Sequence, residues 1–341
     1  MIHTRQHPAA TQVTVVATVL NEGRAVNRLL ESLLAGDRLP DAVVIIDGGS
    51  SDDTLQRVSS YDHARIPIHV RTLPGCGIAA GRNAAIAAAS TPWVAVTDAG
   101  VELSRGWLRE LMAAVEAEPP DQQPEAVAGF FVPDATTLFA FALAAVTLPD
   151  LREIDPRAFL PSSRSFACRR DVWAEVGGYP EWLDYGEDLV FDLRLKLLGA
   201  RFAWAPSALV SFRPRSDLAA FWRQYFRYAR GDGKALLWTT RHAIRYATYI
   251  GAMLVTGAAW RRVVPRYPVL GLLLTASVAY HRRPVRRLFR RTAPRHARLL
   301  ALPLIPLLRL TGDLAKMFGY PCGLVWRLRH HPPAWRRVGG A

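Results

Sequence analysis

Trp93-Val94-Ala95-Val96-Thr97-Asp98-Ala99-Gly100 is the stretch on which the reading of this chain turns. An apolar run of strand character stops on a carboxylate, and small residues follow. In an open α/β sheet, ligands bind just beyond the carboxyl ends of the strands. Asp98 therefore stands where it can meet a ligand or a metal. Ala99 and Gly100 occupy the positions where a metal-binding pair of acids would continue. Asp98 is a full metal ligand, a partial one, or a turn residue.

The flanking segments make this run one strand of a sheet. Val13–Leu20 reads as a buried strand, followed by Asn21-Glu22-Gly23 and by Ala25–Leu34 with apolar residues at helical spacing. Ala42–Ile46 is a second strand ending in the turn Asp47–Thr54, which leads into another helix. Ile68–Thr72 is a third strand, and Gly75–Ala89, glycine-led and alanine-rich, is a helix. Pro92–Thr97 is the fourth strand and Trp107–Ala117 the helix after it. This alternation predicts an α/β fold with a doubly wound, mostly parallel sheet. Glu118–Pro124 is a loop. Thr136–Leu148 carries no charge but is too short to span a bilayer, and reads as a core or interfacial helix.

Charge divides the chain of 341 residues. Its net charge is +14. From Arg241 onward there are 19 Lys and Arg against the single acid Asp313, which leaves 24 basic against 28 acidic residues before it. Residues 1–240 read as one catalytic domain, and 241–341 as a basic helical region suited to an anionic surface. Cys76, Cys168 and Cys322 are far apart and lack metal-ligand spacing, so a reduced, cytosol-facing protein is expected. Met1–Ala10 is polar, and no secretory signal is expected there.

Four further sites carry chemistry. Asp47 before Gly48-Gly49-Ser50 is a turn acid, or one that accepts hydrogen bonds from a nucleoside edge. Gly75–Asn83 is a glycine-rich helix start containing Arg82, an arrangement that favours anions. Gly186-Glu187-Asp188 opens the amphipathic helix Leu189–Leu198. Its acids either complement the helix dipole or supply a general base. Gln224-Tyr225-Phe226-Arg227-Tyr228 lies in an aromatic, basic helix, Leu218–Arg230, with Gly231-Asp232-Gly233 after it. That helix is a solvated face, or it holds an Arg aimed at a diphosphate.

The order of these signals resembles the family 2 glycosyltransferases, nucleotide-sugar enzymes of the GT-A fold, over residues 12–235. The matching stretches are VATVLNEG at 16–23, IDGGSSDDT at 46–54, GIAAGRNAAI at 77–86 and TDAG at 97–100. SFACRRDVWAEVGGYPE at 165–181, GEDLVFDLRLKLLG at 186–199 and QYFRY at 224–228 complete the set. The resemblance implies that Leu20, Asn21, Glu22 and Asp47 hold the nucleoside, with Arg82 and Asn83 near the ribose and diphosphate. It implies Asp98 as the acid of the DxD motif, binding Mg²⁺ or Mn²⁺. Glu187 and Asp188 match the ED motif, Asp188 being the base. Gln224 and Arg227 match QxxRW, with Tyr228 in place of Trp. The implied activity is inverting, hexosyltransferase-type transfer from a nucleotide diphosphate sugar. With Gly100 in place of the second acid, the ion is expected to be held by Asp98, directly or through water, by the diphosphate and by Glu102, and to enter mainly with the nucleotide sugar.

The tail sets the expected partners. Tyr246–Trp260 and Tyr267–Tyr280 are apolar runs bracketed by arginines, shorter than the roughly 18–20 residues of a spanning helix. Leu299–Leu308 is broken by Pro303 and Pro306, and Asp313–Arg329 is interrupted by Gly319 and Pro321. These helices form a short transmembrane hairpin with a cytoplasmic basic end, lie on an anionic membrane, or pack in a soluble core. Nucleic acid is not expected, because the arginines bracket apolar runs rather than line one stripe. A cell-membrane location is expected, with the catalytic domain on the cytoplasmic side and a lipid-linked or envelope glycan as acceptor. The alternative is an impaired GT-A-like membrane scaffold. A Rossmann dehydrogenase is excluded because no GxGxxG follows the first strand.

Overall fold

Unbroken apolar runs such as Val13–Val19 belong to strands covered on both faces, and the computed structural model shows why. It describes residues 11–61 and 64–336. Met1–Ala10, on which the signal-peptide expectation rests, lies outside the described residues.

The chain forms two compact units. The first takes the residues up to Val132, Ile154–Phe212 and the residues from Ala334. Its strands are β1 (Val13–Val19), β2 (Ala42–Asp47), β3 (Ile68–Thr72), β4 (Trp93–Val96), β5 (Val101–Leu103), β6 (Ala126–Pro133), β7 (Phe166–Arg169) and β8 (Phe202–Phe212). They make one sheet in the order β3-β2-β1-β4-β7-β6-β8-β5. β1 runs parallel to β2 and β4, and β2 to β3, as the alternation of strands and helices predicts. β7 runs antiparallel to β4 and β6, and β5 to β8.

Helices α1 (Ala25–Leu34), α2 (Thr54–Ser59), α3 (Ile78–Ala88) and α4 (Trp107–Glu116) follow in chain order. α5 (Leu138–Thr147) belongs to the second unit, and α6 (Arg170–Glu175) and α7 (Glu187–Leu198) return to the first. Successive strand residues point to opposite faces. Val15 and Ile45 therefore pack with Leu29, Trp107 and Leu111, whereas Val16 and Ile46 pack with Ile86, Phe166 and Phe191. α3 reaches the sheet because residue 81 is glycine. A Cβ there would lie 2.7 Å from Thr18 Cγ2.

The second unit, Pro133–Glu153 and Arg213–Pro333, is helical. Besides α5 it contains α8 (Leu218–Ala235), α9 (Thr239–Trp260), α10 (Arg266–Arg290), α11 (Arg295–Ala301) and α12 (Leu304–His330). α5 is the core helix anticipated, with Leu143 and Val146 packed against Phe221, Leu288 and Ile305. Two expected breaks are absent. α8 continues through Gly231 and Gly233, and α12 through Gly319 and Pro321. These glycines let the two helices touch backbone to backbone. A Cβ at Gly233 would meet Tyr320 O at 2.3 Å, at Gly319 Phe226 O at 2.2 Å, and at Gly323 Arg230 O at 2.1 Å.

Asp313, the lone acid of the basic region, ties three helices together. It accepts from Arg245 Nε (2.9 Å) and Tyr249 OH (3.1 Å) on α9, and from Tyr280 OH on α10. Among the described residues no helix is long and apolar enough to cross a membrane. This sets aside the transmembrane hairpin, because both apolar runs are bracketed by arginines and each is shorter than a spanning helix.

Gly319→Ala and Gly323→Ala should each destabilise the protein by about 1–3 kcal/mol through overpacking. Gly271→Ala, whose Cβ meets nothing within 4 Å, should stabilise α10 by roughly 0.5–1 kcal/mol. Thermal unfolding would read all three. Equal effects would refute the close helix contact.

Candidate active site

The site grows from the register of β4 against β7. Val96 lies opposite Phe166 in this antiparallel pair. Continuing the register two residues past the strand ends sets Arg164 opposite Asp98. Arg164 Nε lies 3.2 Å from Asp98 Oδ2. The Arg164 guanidinium sits 4.8 Å from the centre of the Phe212 ring, and its Nη1 donates to Ser162 Oγ at 3.4 Å.

From the other side comes Arg82, carried in by α3. Its Nη2 donates to Asp98 Oδ1 at 2.7 Å and its Nη1 to Glu187 Oε1 at 2.7 Å. Tyr179 covers it, 5.5 Å from guanidinium carbon to ring centre. The Arg82 side chain is 3% exposed, against 24% for Asp98 and 27% for Arg164. Burial alone would lower the Arg82 pKa, but Asp98 and Glu187 outweigh it and the guanidinium stays charged. For Asp98, burial raises the pKa, yet Arg82 and Arg164 prevail and hold it below the usual carboxylate range.

Glu187 and Asp188 open α7 behind Gly186, whose φ of +82° lies in the left-handed region that glycine adopts freely. Glu187 is buried, and burial together with the neighbouring Asp188 charge pushes its pKa up to about 7 in spite of Arg82. Asp188 is half-buried, and its Oδ1 accepts from Leu189 N at 2.8 Å. One turn on, Asp192 is buried, and burial and Asp188 raise its pKa well above the ordinary value.

The loops after β1 and β2 are stitched to each other. Asn21 N donates to Ser50 Oγ (2.9 Å), and Asn21 Oδ1 accepts from Ser51 N (2.8 Å). Glu22 N and Gly23 N both donate to Thr54 Oγ1 at 2.9 Å. Leu20 is exposed beside them. Asp47 is fully buried, and its carboxylate accepts from Gly49 N, Ser50 N and Ser50 Oγ. Of its two readings, the turn role is the one made visible. Asn83, expected near the ribose, has its amide bonded within the protein. Its Nδ2 donates to Tyr179 O and Glu181 Oε1 (both 2.9 Å), and its Oδ1 accepts from Tyr179 N (2.8 Å) and Trp173 Nε1 (3.2 Å). Three of these bonds go to the segment joining α6 to α7, and the fourth goes to Trp173 on α6. Gln224 and Arg227 lie on α8 of the second unit, where Gln224 Nε2 donates to Tyr228 OH at 2.8 Å.

The chain is similar to known proteins in sequence and in fold. The family model described as Glycosyl transferase family 2 matches residues 14–127, and that described as Glycosyl transferase family group 2 matches residues 155–311. The chain belongs to the family 2 glycosyltransferases. It is 31% identical over 233 residues to the pre-mycofactocin glycosyltransferase of Mycobacterium tuberculosis, covering 62% of this chain and 44% of that protein. The chain thus spans less than half the length of that relative. It is 26% identical over 225 residues to the O-antigen chain rhamnosyltransferase WbaN of Salmonella anatum, covering 61% and 69%. The fold resembles that of the mannosyltransferase PcManGT from Pyrobaculum calidifontis, solved in complex with GDP-Man and Mn²⁺. Here the TM-score is 0.60 and the identity 19%, with 90% and 87% of the chains covered.

Measured against this family's metal motif, the donor set around Asp98 does not fit a divalent ion. Both Asp98 oxygens are engaged by guanidinium groups, and Gly100 offers no side chain. Glu102, the other anticipated ligand, pairs with Arg28 at 2.8 Å. No group of three or more His, Cys, Asp or Glu side chains that could hold a metal ion occurs among the described residues. Arg164 is the residue that motif reading passes over. Its sequence signal is only an Arg two residues before an apolar strand, and its role depends on a register visible in three dimensions.

Glu187 keeps its proton up to about pH 7 in the folded chain, against 4.5 for an ordinary glutamate. The folded state therefore binds more protons across that interval. The stability contributed by Glu187 is complete below the lower value and is lost as pH rises through the higher one. Relative to Glu187→Gln, the native protein should lose on the order of 3 kcal/mol between these limits. Urea unfolding at a series of pH values would show it, and a constant difference would refute it.

Proposed function

We propose that this chain transfers a sugar, with inversion, from a nucleoside diphosphate sugar to an acceptor hydroxyl, and that Asp188 is the general base. The observation that carries the reading is the acid pair Glu187–Asp188 joined to the strand-end Asp98 through one buried guanidinium. In the reaction the acceptor oxygen attacks the anomeric carbon from the face opposite the diphosphate. The carbon–oxygen bond to phosphate breaks, its electron pair stays on the leaving diphosphate, and the hydroxyl proton passes to Asp188. Asp188 suits this role because it is half-exposed, whereas Glu187 is buried and bonded to Arg82. Glu187, expected beside it in catalysis, is better assigned to positioning Arg82.

The assignments of Leu20, Asn21, Glu22 and Asp47 to the nucleoside, and of Gln224 and Arg227 to the diphosphate, rest on the family resemblance. A lipid-linked or envelope glycan as acceptor is favoured by the O-antigen chain that gives one relative its name. A panel of UDP-, GDP- and dTDP-sugars, followed by thermal shift and by nucleotide release, would identify the donor. With that donor Asp188→Asn should lower kcat by about 10²–10⁴-fold and leave its affinity within a few-fold. Donor binding without turnover in the native chain would favour the scaffold reading instead.

The same reading places the second unit on the cytoplasmic face of an anionic membrane. α9 and α10 expose Met253, Leu254, Leu272 and Val278, while Trp260 and Tyr267 are 80% and 89% exposed. Arg261, Arg262 and Arg266 lie between these apolar segments. Apolar side chains beside arginines suit shallow burial among anionic lipids. The three cysteines are unpaired, in accord with a reducing compartment. The chain should sediment with phosphatidylglycerol vesicles, and less with phosphatidylcholine or at high salt. Equal partition onto both vesicles would count against it.

A further inference from the structure

We infer that Arg164, backed by Arg82, stands in for a metal ion at the leaving diphosphate, so that the donor nucleotide binds here without a divalent cation. The inference rests on the nucleotide-sugar reading above and concerns how this chain meets the phosphates.

Charge is the first argument. While Glu187 keeps its proton, two guanidinium groups on the Asp98 carboxylate leave a residual charge of +1, as does one divalent ion on one carboxylate. The distances of 2.7 Å from Arg82 and 3.2 Å from Arg164 place both cations directly on Asp98. A metal ion would have to share an oxygen with a guanidinium and sit beside a like charge.

The two arginines are not equivalent. Arg82 is buried and pinned between Asp98 and Glu187, so it holds charge in place without reaching out. Arg164 keeps about a quarter of its side-chain surface exposed at the strand ends. Contact with Phe212 and with Asp98 fixes the plane of its guanidinium. A planar cation held in this way is pre-organised to meet a diphosphate.

Gly100 supplies the second argument. Its backbone lies outside the left-handed region, and a Cβ there would meet only Glu22 Oε2, at 3.6 Å. Nothing steric keeps an acid out. An acid at this position would repel a diphosphate in a site whose cations are arginines. Where arginines replace the metal, a residue without charge serves better than a second carboxylate.

Calorimetric titration of UDP and GDP into the full chain, in EDTA and then in excess Mn²⁺, tests this. We expect at least one nucleotide to bind in EDTA within about threefold of its affinity in Mn²⁺. Arg164→Gln should weaken that binding at least about tenfold, with Arg164→Lys intermediate and the melting temperatures of both close to native. Gly100→Asp should weaken binding in EDTA and recover it in Mn²⁺. Binding that requires Mn²⁺ in the native chain, or an Arg164→Gln variant that binds as tightly as native, overturns the inference and leaves the glycosyltransferase reading standing. If neither nucleotide binds under any condition, the nucleotide reading falls and the inference falls with it. The EDTA comparison needs no variant, so a misfolded substitution does not remove the test.

Discussion

The buried guanidinium of Arg82 is the constraint on which the site depends. It joins three parts of the first unit, namely α3, the end of β4 and the first turn of α7. Buried ion pairs are weak devices for stability, since apolar residues of similar volume do as well or better. Removing one partner, by contrast, strands an uncompensated charge at a cost of roughly 3–5 kcal/mol. An arrangement of this kind fixes geometry more than it adds stability. Here it fixes the distance between the strand-end acid and the acid pair of α7. The glycine at 81 is part of the same device, because it brings α3 close enough to β1 for Arg82 to arrive.

Much of the first unit was legible in the sequence because both faces of its sheet are buried. Continuous apolar strands bounded by Asn21, Asp47 and Asp98 announce themselves by composition, and α1, α3 and α4 by spacing. The antiparallel additions did not. β7 is short, and nothing local says that it pairs with β4 rather than with a nearer strand. That one pairing decides what faces Asp98, so nothing local marks Arg164 although it lies beside a family motif. Asn83 illustrates the converse. Its motif is clear, yet all the amide bonding goes to residues near 180, a use that only the tertiary structure reveals.

The second unit was harder for a different physical reason. Glycine and proline normally end helices, so in the sequence Gly231, Gly233, Gly319 and Pro321 read as breaks. In α8 and α12 the glycines sit where two backbones touch, and tertiary packing overrides local propensity. The lone acid Asp313 was visible as a count but not as a hub. Its bonds to Arg245, Tyr249 and Tyr280 show why a region so rich in arginine keeps one carboxylate.

The acids of the site do not carry equal charge, and the inequality follows from where the arginines are. Asp98 has two guanidinium partners and is held ionised. Glu187 shares one of them and sits next to Asp188, so it holds its proton to about 7. Asp192 has neither guanidinium as a bonding partner and is fully enclosed, so burial and Asp188 push its pKa upward. Four carboxyl groups within one short region would repel a diphosphate if all were ionised. Burial and unequal pairing remove part of that charge without removing the residues. What remains is a half-exposed Asp188 at the helix start and a guanidinium pair around Asp98. A base on one side and a cationic surface on the other are what an acceptor hydroxyl and a departing diphosphate require.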